Sequence, residues 1–321
     1  MARGDLVWNW QDALRGTHFA LPAMVIIASG DVTLGVACGI GVLPAATIGL
    51  LPTRKKRLLL VFVGILVAAS LLLGSLFAHN AVLAAVGLFL LALGAAKLAQ
   101  KSSFGILVLS LCLPLAGIGL SIDETTTALG LGALIILGSI YAYILTVFWP
   151  ESPGAPKQRA SAALPAGYGL YLGLTAAITA GIGLVLHLDH PGWAAAAALF
   201  VMRPQADLQE MRSIARVIAV VFGSSAAIVF LQLHPSEFLI SISVAVALTA
   251  AAATHKSRWY ITPLFSTFIV FLMLLYSNLE DAPLRFIERS GETAFGVAVA
   301  YFFGLVLPWL LRLASTRRRS V

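Results

Sequence analysis

Long apolar runs separated by short polar breaks recur along the whole 321-residue chain. A helix crossing a bilayer takes about 20 residues, so runs of this length read as membrane spans. Twelve runs emerge, at 13–29, 32–52, 58–77, 81–98, 103–121, 126–148, 166–186, 191–208, 214–233, 237–254, 260–277 and 291–311. The longest polar interruption, Pro150 to Pro165 (PESPGAPKQRASAALP), falls between the sixth and seventh runs and reads as a linker. The pattern predicts an all-α membrane protein of about twelve transmembrane helices. It divides into a first six-helix repeat over 1–149, a linker over 150–165, and a second six-helix repeat over 166–321 with a short basic C-terminal tail.

Three pairs of segments support the duplication. Arg57 to Gly64 (RLLLVFVG) resembles Arg216 to Gly223 (RVIAVVFG), Ala92 to Phe104 (ALGAAKLAQKSSF) resembles Ala247 to Trp259 (ALTAAAATHKSRW), and Thr127 to Gly130 (TALG) resembles Thr293 to Gly296 (TAFG). Chance likeness among Ala, Leu and Gly-rich helices is the plain alternative, and the shared order argues against it. An even number of spans inserts both halves in the same direction, so the expected symmetry is a parallel repeat about the membrane normal.

Composition sharpens this picture. With 60% hydrophobic residues, 11% charged ones and a mean hydropathy of +0.94, a soluble fold would have too little polar surface to show water. Twelve spans would use roughly 240 residues and leave no room for a folded soluble domain. The net charge of +7 is informative once sorted by loop. Nineteen of the 21 Lys and Arg residues fall on one side, including Arg54, Lys55, Lys56 and Arg57; the other side holds Arg285 and Arg289 with nine acids. Cytoplasmic loops carry the basic excess, so both termini are expected inside. The first run, preceded by Asp5 and Asp12, reads as a retained span rather than a signal peptide. Arg317, Arg318 and Arg319 read as an anchor to anionic headgroups, and no nucleic acid partner is expected. Cys38 and Cys112 lie inside apolar runs and give neither a disulfide framework nor a metal spacing.

Candidate chemistry sits where the spans are broken. Span two carries Pro44, and span eight offers only Trp193 to Met202 before Arg203 and Pro204. Prolines at matching places in two halves free backbone carbonyls and mark a site. An arginine at the edge of the apolar zone, such as Arg203, either lines a substrate path or snorkels to phosphates. Arg15 and His18 share a helical face at the start of span one, where His18 is a proton-site candidate or a simple carbonyl partner. Asp31 in the first half and Asp189 with His190 in the second occupy equivalent turns, either as a proton entry or as solvated loop residues. His187, Asp189 and His190 lack a fourth ligand, so no metal is expected. The chain contains no phosphate loop, nucleophile elbow, zinc helix or aspartate-rich diphosphate motif, so no enzyme activity and no cofactor are expected.

The segment from His190 to Ser225 (HPGWAAAAALFVMRPQADLQEMRSIARVIAVVFGSS) resembles the signature region of the FUSC (fusaric acid resistance protein-like) and aromatic acid exporter superfamily, in a short form without a large cytoplasmic domain. Trp193, Arg203, Pro204, Arg216 and Gly223 carry the match. ALRGTHFALPAMVII and the basic RKKR loop resemble its first-half counterpart, although Thr33 or Leu34 stands where Trp193 would fall. The resemblance implies efflux of small carboxylated or aromatic compounds, and a helix plan similar to plant anion channels. On this reading Arg203, Arg216, Arg57 and Arg15 would attract or hold the anion, Trp193 would stack on an aromatic ring, and His18 or Asp31 would carry protons, with Asp189 and His190 as counterparts.

The resulting expectation is a multi-pass exporter of small organic anions in a bacterial inner membrane, powered by an ion gradient. Its partners would be the anion and the lipid bilayer, with a second copy or an accessory envelope protein as further candidates. A passive anion channel and a non-transporting scaffold subunit remain the alternatives.

Overall fold

The computed structural model describes residues 6–151, 164–165, 167–257 and 261–319, with side chains as far as Leu313. Most of the linker expected at 150–165 lies outside the described residues. Those described form helices and turns, with no strand among them. In chain order the helices are α1 (Trp10–Ala28), α2 (Val32–Ile48), the basic turn α3 (Arg54–Arg57), α4 (Leu59–Phe77) and α5 (Ala81–Lys101). α6 (Ser103–Leu107) and α7 (Leu113–Gly119) follow, joined by a π turn at Val108–Cys112, and then α8 (Thr125–Val147), α9 (Tyr168–Val185) and α10 (Gly192–Val201). The chain continues through α11 (Ala206–Gln232), α12 (Glu237–Thr254), α13 (Thr262–Leu275), α14 (Ala282–Tyr301), a second π turn at Phe302–Val306, and α15 (Leu307–Arg319).

Side-chain caps start several of these helices at the polar breaks. Asn9 accepts from the Asp12 amide, Asp31 from Leu34, Asn80 from Val82 and Leu83, and Ser236 from Leu239. Each satisfies amides that a helix start leaves without internal partners. Seven helical stretches among the described residues are long and apolar enough to cross a membrane: Arg54–Phe77, Ala81–Lys101, Thr125–Val147, Tyr168–Val185, Ala206–Gln232, Glu237–Thr254 and Leu279–Leu313. Four shorter apolar stretches, Val32–Ile48, Ser103–Gly119, Gly192–Val201 and Thr262–Leu275, together with α1, occupy the remaining apolar runs in order.

Burial is inverted relative to a water-soluble protein. Val82, Phe148 and Phe222 are 72%, 79% and 63% exposed, whereas Ala194 through Ala198 are fully covered. Small residues let helix backbones approach, and large apolar side chains face a solvent that must itself be apolar.

The boundaries depart from the apolar runs in two instructive places. The eighth run was expected to continue to residue 208, but the helix stops at Val201 and Met202 turns extended, with ψ 122°. The ring of Pro204 disfavours helical backbone in the residue before it and removes an amide, and α11 starts afresh at Ala206. The twelfth run was expected from 291, but α14 starts at Ala282. Polar residues at helical spacing carry the helix beyond its apolar part, with Arg285 paired to Glu288 at 2.9 Å.

The chain forms two compact units. Unit 1 comprises residues 1–69, 129–158 and 218–290; unit 2 comprises 70–128, 159–217 and 291–321. In unit 1, α1 packs along α12 and α2, and α2 also meets α12 and α13. In unit 2, α9 packs along α5 and α10, and α10 also meets α7. Each unit thus draws helices from both sequence halves.

Candidate functional site

The polar side chains that matter gather at helix ends, where main-chain groups run out of internal partners. In unit 2 the focus is α10, ten residues and so about 15 Å long, half a bilayer's hydrocarbon. Every residue from Gly192 to Leu199 is buried. Its last turn carries orphan carbonyls and the negative end of the helix dipole, which attract cations.

Three arginines answer. Arg203 Nη1 donates to Met202 O at 2.7 Å and to Leu199 O at 3.4 Å. Arg212 Nη1 reaches Phe200 O at 3.5 Å. Arg216, buried, places its guanidinium carbon 5.1 Å from the centre of the Phe200 ring, a cation–π distance. Tyr168 Oη, from the start of α9, donates to Met202 O at 3.3 Å. Asp207 and Glu210, in the first turns of α11, are exposed. Three arginine side chains thus converge on the carbonyl end of α10.

Gln209 holds the turn in place. Fully buried, it donates from Nε2 to Ala300 O at 2.7 Å and accepts the Arg203 amide on Oε1 at 3.3 Å. Its amide lies against Gly304, inside the Phe302–Val306 π turn, where a Cβ would collide with it. π turns shift the backbone ladder by one residue and so need outside partners such as this one.

Trp193 is buried near the start of α10, and His190 stacks on it with ring centres 4.0 Å apart and planes 15° apart. Asp189 is exposed in the preceding turn, and Pro204 is half-buried between α10 and α11. Arg203, Arg216 and Pro204 are therefore brought to one end of α10, and Trp193, His190 and Asp189 to the other.

Unit 1 holds a second polar cluster, at the start of α1 and the end of α12. Asp12, buried, stands 3.1 Å from Arg15 Nη2, 2.8 Å from Lys256 Nζ and 3.6 Å from His255 Nδ1. His255 Nδ1 lies 2.7 Å from Ala252 O. Its Nε2 faces Gly49, whose φ of +83° and missing side chain admit the ring; a Cβ there would stand 2.6 Å away. Burial is the main influence on His255 and pushes its pKa down, against the upward pull of the Ala252 carbonyl and Asp12; Arg15 and Lys256 add to the lowering. Arg15 is 1% exposed, with the Phe19 ring 5.7 Å from its guanidinium carbon.

The other expected residues in this unit have local partners. Arg57, fully buried, donates to Leu51 O at 2.9 Å, to Thr146 O, and to Trp149 O and Pro150 O at 2.8 Å each, tying the end of α8 to the basic turn. His18 Nδ1 sits 2.7 Å from Leu14 O, and the ring meets Trp149 edge-on at 5.5 Å. Asp31 caps α2, which runs through the buried Pro44 to Ile48. Sequence reasoning missed Asp12 as a hub, along with Gln209, Tyr168, Arg212 and His255. Only the Asp12/Arg15 and Arg212/Arg216 spacings were visible as helical neighbours. No group of three His, Cys, Asp or Glu residues among those described could hold a metal ion.

Residues 176–303 match the family model described as fusaric acid resistance protein-like, the family resembled by the segment from His190 to Ser225. The match begins within α9, contains α10 through α13 and all three arginines of the α10 turn, and ends in the π turn after α14. With the apolar helices it describes a membrane-embedded, multi-pass protein. No curated protein and no solved structure matches the chain.

Proposed function

We propose that this protein exports small organic anions, aromatic carboxylates among them, across a bacterial inner membrane, with both termini cytoplasmic. The observation that carries the proposal is the convergence of Arg203, Arg212 and Arg216 on the end of a buried half-length helix, within the matched segment. Half-helices whose ends lie inside the membrane supply ion sites in transporters, because their terminal groups need partners there. Arg203 offsets the carbonyls, Arg212 adds a further guanidinium, and Arg216 adds one faced by the Phe200 ring. A planar aromatic acid suits both, through its carboxylate and its ring.

Duplication into two parallel six-helix repeats fits the packing within each unit. α1 with α2 meets α12 and α13 in unit 1, and α9 with α10 meets α5 and α7 in unit 2. In each case the opening hairpin of one half meets the fourth and fifth spans of the other. The lysine and arginine distribution supports the inward termini. In the absence of a nucleotide-binding phosphate loop, an ion gradient supplies the energy.

The test is benzoate flux in proteoliposomes under an imposed pH gradient. Arg203→Ala and Arg216→Gln should each reduce flux at least about tenfold, as loss of one charge-assisted contact of about 1.5–3 kcal/mol requires. Unchanged flux in both folded variants rejects the arginine assignment. Flux that ignores the pH gradient rejects coupled export.

A further inference from the structure

Arg15 is 1% exposed, yet none of its Nε, Nη1 and Nη2 atoms has a hydrogen-bond acceptor. Asp12 Oδ1 stands 3.1 Å from Nη2 as an ion pair, and Asp12 is itself shared with Lys256 at 2.8 Å. A guanidinium offers five N–H donors in a planar fork, and buried donors without acceptors are rare in folded proteins. Among the described residues the neighbours are already engaged: His255 Nδ1 is turned to Ala252 O, and Arg57 is committed to four carbonyls.

Charge points the same way. Around Asp12 stand Arg15 and Lys256, and Arg57 is close enough to act on Arg15 electrostatically, so one buried carboxylate faces an excess of cations. What the cluster lacks is one more negative group with two acceptor oxygens.

We infer that Arg15, with Lys256 beside it and the Phe19 ring beneath, is a binding site for a small carboxylate anion contained wholly within unit 1. The guanidinium fork presents paired N–H groups that match a carboxylate's two oxygens, which a spherical anion cannot do. Phe19 lies 5.7 Å from the guanidinium carbon and gives an apolar floor for the organic part. The site stands whether or not the arginines of the α10 turn carry cargo.

The experiment titrates sodium acetate into the purified full-length protein in detergent, against sodium chloride at constant ionic strength, and follows the thermal unfolding midpoint. Acetate should raise the midpoint saturably, and chloride should not. Arg15→Gln should abolish the rise. Arg15→Lys, which keeps the charge but loses the fork, should weaken apparent affinity at least about tenfold. Asp12→Asn removes the carboxylate that competes for the same guanidinium and should tighten acetate binding by about tenfold or more. Lys101→Gln, at an exposed lysine of unit 2, should leave the acetate response intact. The inference is overturned if acetate has no effect on the parent protein, or if chloride works equally well. It fails equally if Arg15→Gln responds like the parent, if Asp12→Asn does not bind more tightly, or if Lys101→Gln abolishes the response.

Discussion

Replacing Gln209 with Leu removes one side chain that serves two main-chain groups. Leu is close in volume to Gln, so the substitution mainly deletes polarity rather than opening a cavity. The Ala300 carbonyl, at a residue with no exposure, loses a 2.7 Å donor; the Arg203 amide, at a half-buried residue, loses a 3.3 Å acceptor. A buried group left without its partner costs about 1–3 kcal/mol. The longer, wetter contact belongs at the bottom of that range or below, so a total loss of about 2–3 kcal/mol is expected. For a chain of this size that is a fall in midpoint of about 3–5 °C, read by tryptophan fluorescence in detergent at one fixed scan rate. A second cycle sharpens the result. Gly304→Ala drives a Cβ into the Gln209 amide and should destabilise the parent, yet in a Gln209→Ala background the space is vacated and much of the cost should vanish. A Gln209→Leu midpoint within about 1 °C of the parent, with strictly additive costs for Gly304→Ala, would refute the clamp.

Two further outcomes follow from the unit 1 geometry. Arg57→Lys keeps the charge but cannot reach Leu51, Thr146, Trp149 and Pro150 carbonyls together, and should lower unfolding free energy by about 2–4 kcal/mol in denaturant titrations. His255 has a folded pKa below its ordinary 6.5, so the unfolded chain binds the proton first as pH falls. Its contribution to stability is complete above that value and is lost as pH drops towards the folded pKa, so midpoints should fall on acidification below about 6.5. His255→Gln should flatten this part of the pH profile, and a variant with the parent's slope would rule His255 out as its source.

The protein's class was open to reading from the chain because hydropathy adds along a sequence without reference to neighbours. Twelve apolar runs and few charges required a lipid-facing, helical protein. Polar breaks at Asn80 and Ser236 placed helix starts correctly because a cap acts within three residues of itself. The same local logic failed at Ala282, where charged helical neighbours extend α14 beyond its apolar part, and at Val201, where Pro204 ends α10 early. Arg203 stood out in the sequence as a cation in an apolar run. Its carbonyl partners were hidden, since they depend on where the helix stops.

Tertiary structure decided which arginines are occupied and which are not. Arg57 and Arg15 read alike in sequence, as cations at the edge of a span. One is taken by carbonyls up to 93 positions away, and the other keeps donors without acceptors beside an acid and a lysine 244 positions apart. It also assembled each compact unit from helices of both halves. The sequence by itself determined the solvent and the kind of element, because burying or exposing apolar surface is a property each residue carries with it. Pairing between helices rests on the close fit of Ala and Gly faces that are nearly interchangeable along this chain, so only the folded arrangement could select the partners and set where the buried charges meet.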